Sequence, residues 1–251
     1  MIFSFMSFTQ IEVTTVCNFD CLYCTGRKMQ QKSMSWDTFL QVCEKINTKV
    51  VSLQGEGEPT LWSHFSHAVN YLTDKGFLVT TITNGGTTRH IDLIDKLHAV
   101  YVSIDSLDEK EASKIGRYNL VKVLTNLQAL KPHSKKVTVT TVDYGQDLKP
   151  LESYCKSHGF KWQSQKLQQK KDYTEVYPVH WIKPPKQHIS KKLRCEYLDK
   201  KLLDFYNIDG LHRPCYLIKS TQECDPLDMH RKLSVGIVPH SCLGCSKIEG
   251  V

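Results

Sequence analysis

Six short runs rich in β-branched and aromatic residues, at 8–15, 50–54, 77–83, 100–104, 136–142 and more weakly 160–165, each follow the last after a helix-like stretch. Those stretches lie at 35–46, 61–74, 89–97, 118–130 and 151–158; Ser35 is placed to cap the first and Gly76 to end the second. Strand and helix in steady succession dictate parallel βαβ units with right-handed crossovers. The expected class is therefore α/β, and six units make an open, partial (β/α)6 TIM-like barrel rather than a closed eight-stranded one. Such a barrel carries its function at the carboxyl ends of its strands.

A chain of 251 residues, 40% of them hydrophobic, is the size of one barrel-type domain with a sizeable core. No apolar run approaches the ~18 residues that span a bilayer. The first six residues lack a basic segment followed by a long apolar one, so they read as the start of the fold and the expected location is cytoplasmic. Ten cysteines would suit a disulfide scaffold in a short secreted chain; clustered spacings in a chain of this length favour metal ligation in a reducing compartment.

Cys17, Cys21 and Cys24 form a C-x3-C-x2-C triplet just after the first strand-like run. Thiolates so closely spaced suit an iron-sulfur cluster or zinc. A closed zinc site needs a fourth ligand, and no other His or Cys lies in the loop; Cys43, the nearest, falls in a helix-like stretch. Three ligands with an open fourth corner are the pattern of a catalytic centre.

The stretch Ile11-Glu12-Val13-Thr14-Thr15-Val16-Cys17-Asn18-Phe19-Asp20-Cys21-Leu22-Tyr23-Cys24 resembles the radical S-adenosylmethionine (radical SAM) superfamily. The resemblance implies a 4Fe-4S cluster on the three cysteines, with SAM chelating its unique iron and Tyr23 packing beside the adenine. It also implies an external one-electron reductant of the flavodoxin or ferredoxin type. One electron then splits the sulfonium into methionine and a 5'-deoxyadenosyl radical, so the cofactor carries the hard step. Gly55-Glu56-Gly57-Glu58-Pro59 resembles the family's Gly-Gly-Glu-Pro segment, where glycines admit the SAM amino group and an acid adds charge complementarity. Thr83-Asn84-Gly85 and Ser103-Ile104-Asp105-Ser106 look like family positions that contact the methionine or ribose of SAM, although Asn-Gly and Asp-Ser also open ordinary turns. Arg117, Asp143 and Tyr144, near strand ends or the following helix, are the weaker candidates for an acid-base role, and each has an equally good structural one.

Beyond residue 165 the composition changes. Residues 166–194 are lysine- and proline-rich and read as an irregular excursion across the barrel mouth, dividing a barrel at 1–165 from a module at 195–251. That module resembles the twitch subdomain, a shortened SPASM extension. A β-hairpin with an Asp209-Gly210 turn brings two cysteines together, and Cys195, Cys215, Cys242 and Cys245 hold an auxiliary 4Fe-4S cluster. Cys224 is an extra thiol and reserve ligand. A C-x2-C with two remote cysteines is also zinc-ribbon grammar, so zinc remains open there.

Three substrate classes stay open: an aminocyclitol or sugar alcohol, a ribosomal peptide, and a nucleotide or a base within nucleic acid. Basic residues gather at 131–136, 166–171 and 183–192 beside Tyr173, Tyr177, His180 and Trp181, and the formal charge of +7 tilts the choice toward nucleotides. A non-enzymatic alternative is a zinc-stapled module that binds nucleic acid.

Overall fold

The computed structural model describes residues 7–184, 192–200, 203–218 and 225–251. Its centre is a sheet in the order β6-β5-β4-β3-β2-β1-β8-β9. The strands are β1 (Phe8–Ile11), β2 (Val50–Leu53), β3 (Leu78–Thr83), β4 (Ala99–Ser103), β5 (Val137–Asp143), β6 (Lys161–Lys166), β8 (Leu203–Tyr206) and β9 (His212–Arg213). Every pairing from β6 to β8 is parallel, and β9 alone runs antiparallel. A second, two-stranded sheet pairs β7 (Leu193–Cys195) with β10 (Ile248–Gly250).

Between the parallel strands lie α1 (Trp36–Cys43), α2 (Phe65–Asp74), α3 (Arg89–Asp92), α4 (Glu109–Lys114), α5 (Leu120–Ala129) and α6 (Lys149–His158). Ser35 caps α1 through its side chain, which accepts from Thr38 N, and Gly76 at φ 82° follows α2, as expected. The stretch expected to be helical over 89–97 is helical only over Arg89–Asp92; Leu93 leaves the helical region, and Leu97 instead turns back into the core. Strand residues alternate in direction: Val51, Leu53, Val79, Val100, Val102, Val137 and Val139 pack under the helices, while Gln10, Ser52, Thr80, Ser103 and Thr140 occupy the intervening positions.

The first strand-like run stops short of expectation, at Ile11. Glu12 N bonds to Tyr206 O, and Val13 O and Thr15 N pair with Met34 N and Lys32 O, so residues 12–15 leave the sheet to begin the cysteine loop. Residues 203–213, read from sequence as part of a separate module, extend the central sheet beyond β1. The remaining helices are α7 (Lys171–Thr174), α8 (Glu196–Lys200) and α9 (Pro226–Ser234). Tyr173 and Tyr177, from the excursion, share a second apolar cluster with Leu193, Cys195, Cys215, Met229 and Cys245. Among the described residues, no helix is long and apolar enough to cross a membrane.

Candidate functional site

The cysteine loop follows β1 and rests on the turn between α4 and α5. Asp20 N donates to Gly116 O at 2.9 Å and Leu22 N to Ile115 O at 3.0 Å. Gly116 sits at φ 81°, and a Cβ there would lie 2.0 Å from Asp20 O, so only glycine allows this approach. N–H groups reach the sulfurs: Phe19 N to Cys17 Sγ at 3.4 Å and Gly26 N to Cys24 Sγ at 3.3 Å, with Asn84 Nδ2 3.7 Å from Cys17 Sγ. Burial pushes the Cys17 thiol up to about 11 and also raises Cys21 and Cys24; Cys21 adds to the repulsion felt at both neighbours. The three sulfurs thus share one half-buried neighbourhood lined with N–H donors. That donor set fits a cluster with one free corner, and metal binding there must displace thiol protons.

Two glycines let the loop after β2 lie against the cysteine loop. A Cβ on Gly57 would meet Thr14 O at 2.5 Å, and one on Gly55 would meet the Glu12 side chain at 2.4 Å. Glu12 Oε1 in turn accepts from Glu56 N at 3.0 Å. Glu58 is 2% exposed. Its Oε1 accepts from Thr60 N, Thr60 Oγ1 and Thr83 Oγ1, and its Oε2 from Asn84 N at 2.6 Å. The Glu58 carboxylate is therefore committed to joining the tips of β2 and β3. Asn84 points the other way, its Nδ2 donating to Asn18 Oδ1 at 2.7 Å beside Cys17.

At the tip of β4, Asp105 is 2% exposed and saturated by protein groups. Oδ1 accepts from Val142 N at 2.8 Å; Oδ2 pairs with Arg117 Nε at 2.6 Å and accepts from the Tyr23 hydroxyl. Arg117 also donates from Nη1 to Ser103 O at 2.8 Å. Burial opposes the Arg117 charge, but Asp105 overcomes it and holds the guanidinium charged far above its ordinary range. Arg117, an acid-base candidate by sequence, here joins Asp105, the Tyr23 hydroxyl and the Ser103 carbonyl. Burial pushes Tyr144 up to about 12, and its ring lies tilted against Trp181 with centroids 4.8 Å apart. Asp143 Oδ1 accepts from Gly145 N at 3.1 Å and closes the turn after β5.

The four C-terminal cysteines converge by a route different from the expected one. The Asp209-Gly210 hairpin forms between β8 and β9 with Gly210 at φ 73°, but it carries only Cys215, just beyond its second strand. Cys195 arrives from the β7–β10 pair instead, opposite Ile248. Cys195, Cys215, Cys242 and Cys245 line one small cavity, and burial, with the neighbouring thiols adding to it, raises the Cys215 thiol. Leu217 N donates to Cys215 Sγ at 3.3 Å. Lys170, 3% exposed and paired with Asp172, lies against the same group. Cys224 lies outside the described residues. Among the described residues, no three His, Cys, Asp or Glu side chains converge as tightly as a single metal ion requires.

A cavity of about 360 Å3 opens inside the curved sheet. Gln10 and Gln54 line it from β1 and the end of β2, Gln163 and Gln165 from β6, and Glu196, Tyr197, Tyr216 and Lys247 from the C-terminal segment. β1 and β6, with four strands between them in the sheet, border one space, so the sheet curls around it. Glu56 sits between this region and the cysteine loop, its Oε2 3.3 Å from Cys24 Sγ and its Oε1 3.3 Å from the Tyr173 hydroxyl. The four glutamines were not singled out in the sequence, where Glu56 stands out only as part of the segment 55–59 and Tyr173 only as a ring beside basic residues. Inward alternation of Gln10, Ser52 and Gln54 along their strands was the signal available.

Residues 11–156 match the family model described as "Radical SAM superfamily". Among curated proteins, the chain is 26% identical over 118 residues to an S-adenosylmethionine-dependent nucleotide dehydratase of Selenomonas ruminantium, a match covering 43% of each chain. The chain spans less than half the length of the curated relatives it matches. Among solved structures it resembles SuiB of Streptococcus suis bound to S-adenosylmethionine, with a TM-score of 0.58 at 15% identity, over 90% of this chain and 55% of that one. It also resembles BtrN in complex with AdoMet and 2-DOIA, with a TM-score of 0.51 at 14% identity, over 93% and 89%. Likeness at such identities concerns the fold: an α/β core with a mostly parallel central sheet. Because the family match takes in the cysteine triplet, the four parallel strands β2–β5 that follow it and more than half the sequence, the chain belongs to the radical SAM superfamily.

Proposed function

We propose that Cys17, Cys21 and Cys24 hold a 4Fe-4S cluster, that SAM lies against it at the tips of β2–β5, and that the substrate occupies the cavity inside the sheet. When bound and reduced, the cluster supplies the electron that splits SAM into methionine and a 5'-deoxyadenosyl radical, which takes hydrogen from an unactivated carbon. The observation carrying this reading is three neighbouring thiols, two of them with N–H donors at their sulfurs, docked beside strand tips that border a cavity.

The chain's own groups do the rest. Gly55 and Gly57 bring backbone close to the cysteine loop, Asn84 presents its amide beside Cys17, and Thr83 holds the Glu58 carboxylate next to it. Glu58 and Asp105, though expected to meet SAM, act in this reading by holding those strand tips, since each carboxylate is filled by protein donors. Tyr23, tied by its hydroxyl to Asp105 and Arg117, offers its ring face to the adenine.

Cys195, Cys215, Cys242 and Cys245 hold a second 4Fe-4S cluster in a twitch-like module, with Cys224 in reserve. Four thiolates close its coordination, which suits electron transfer or structural stapling. The substrate class is a nucleotide or nucleic-acid base, or a small biosynthetic intermediate; the nucleotide dehydratase relative supports the former. An external reductant of the flavodoxin or ferredoxin type delivers the electron.

Anaerobic reconstitution tests the whole reading. About eight irons per chain and release of 5'-deoxyadenosine from SAM on reduction support it. A colourless, zinc-containing protein inert toward SAM refutes it in favour of a zinc-stapled binding module.

A further inference from the structure

Apart from Asp105, Glu196 and Lys247, the polar groups lining the cavity are neutral. Gln54 Nε2 donates to Gln10 Oε1 at 3.1 Å, which leaves Gln54 Oε1 a buried acceptor with no partner. One register below, Gln10, Ser52 and Thr80 stand side by side on β1, β2 and β3. Ser52 Oγ and Thr80 Oγ1 are likewise buried and unpartnered, although Ser52 is 1% and Thr80 0% exposed. Across the space, β6 contributes Gln163 and Gln165. Buried polar groups are seldom left unpaired in folded proteins, and of these only Gln54 belongs to the cavity lining, so its Oε1 is the acceptor open to a guest that brings its own donor.

Charge divides the cavity. Among the described residues its one inner carboxylate, Asp105, is filled by Arg117, Tyr23 and Val142 N, so it offers nothing to a cationic amine. At the mouth, Glu196 is paired with Lys200 at 3.4 Å, whereas Lys247 forms no ion pair among the described residues. Tyr197 and Tyr216 border the same mouth, their rings edge to face at 5.8 Å. A primary carboxamide presents one donor and one acceptor in a fixed plane, the pattern that reads the edge of a nucleobase. Aromatic rings accept a base face, and a lone lysine accepts a phosphate.

We propose that the cavity takes a nucleobase inward, its edge read by Gln54 and Gln10 and by Gln163 and Gln165 opposite, with the attached 5'-phosphate held at Lys247. This rests on the reading of the chain as an enzyme whose substrate enters the sheet. The same chemistry is offered by a free nucleotide and by a residue of single-stranded nucleic acid. An aminocyclitol is disfavoured by the lack of an available inner carboxylate.

Equilibrium binding to the reconstituted full chain with SAM bound tests this. The probes are the ribo- and deoxyribonucleoside 5'-monophosphates, the matching nucleosides, short single-stranded RNA and DNA, and 2-deoxystreptamine as an aminocyclitol control. One base class is expected to bind, with Gln54→Leu weakening it about tenfold or more. Lys247→Met is expected to weaken the monophosphate several-fold and leave the nucleoside unchanged. Tighter binding of oligonucleotide than monomer assigns the source to nucleic acid, and the reverse assigns it to free nucleotide; either supports the proposal. If circular dichroism shows that Gln54→Leu does not fold, Gln165→Leu on the edge strand gives the same readout. The proposal is overturned if no nucleobase ligand binds, if the control or a peptide binds in its place, or if the folded glutamine variants bind like wild type. Wild-type protein that holds iron and cleaves SAM yet binds no nucleobase overturns this inference alone, whereas protein without iron or SAM cleavage overturns the enzymatic reading beneath it.

Discussion

The Arg117 guanidinium grips the Tyr23 hydroxyl with two hydrogen bonds, from Nε at 2.8 Å and Nη2 at 2.7 Å, across 94 residues of sequence. The same guanidinium neutralises buried Asp105 and caps the Ser103 carbonyl, so one side chain ties the cysteine loop to the tip of β4. Arg117→Met leaves Asp105 buried and unpaired and is expected to lower stability by about 3–5 kcal/mol. Adding Asp105→Leu removes the stranded charge and should recover part of that loss. Urea titrations of the two single variants and the double variant measure the coupling; additive losses would show that the pair does not act as a unit. Arg117→Lys should also be impaired, because an ammonium cannot reproduce the planar fork.

Gly116 makes a narrower demand. Its φ of 81° and the 2.0 Å approach to Asp20 O leave no place for a Cβ. Gly116→Ala should therefore lose at least ~1–2 kcal/mol from backbone conformation alone. It should also loosen the cysteine loop. Iron content after reconstitution reports this directly: the variant should retain the C-terminal iron and lose iron at the triplet, while normal occupancy of both would refute the docking role.

His90 gives the fold an acid-sensitive point. It is 0% exposed, both ring nitrogens lack partners, and burial lowers its pKa to about 4. The unfolded chain binds this proton near pH 6.5, the folded one only near pH 4, so stability is full above that window and falls as pH drops through it. A shift of this size corresponds to ~3 kcal/mol. Between pH 7.5 and 4, urea midpoints of the iron-free chain should fall more steeply for wild type than for His90→Leu. Parallel curves would contradict the assignment.

The two cysteine sets should be separable. Cys215→Ala is expected to reduce iron from about eight to about four per chain while SAM cleavage on reduction persists. Iron analysis with 5'-deoxyadenosine quantification checks this, and loss of both irons and cleavage together would mean that the sets are not independent.

Much of the barrel was legible because its signals are local. Val50–Leu53, Leu78–Thr83 and Val137–Asp143 announce themselves by β-branched residues, and Ser35 and Gly76 punctuate the helices with ordinary cap chemistry. The spacing of Cys17, Cys21 and Cys24 is local too. What escaped depends on contacts between distant segments. Leu203–Tyr206 reads as one arm of a hairpin, and nothing in its own residues says that its other edge pairs with Phe8–Ile11. Cys195 is delivered by pairing with Ile248 near the chain's end. Glu58 and Asp105 carry the residue types expected of ligand contacts, and their saturation becomes visible only once Asn84, Arg117, Tyr23 and Val142 are in place around them. The inward glutamines were invisible for a related reason: which face of a strand meets the cavity is settled by how the sheet curls.

The most direct test is electron paramagnetic resonance of the reduced, anaerobically reconstituted protein in which Cys215 is replaced by Ala, so that only the triplet's iron is observed. Adding SAM should change the signal and release 5'-deoxyadenosine, and a Cys17→Ala/Cys21→Ala/Cys24→Ala protein should release none. A signal unmoved by SAM, or 5'-deoxyadenosine still formed without those three cysteines, would contradict the account.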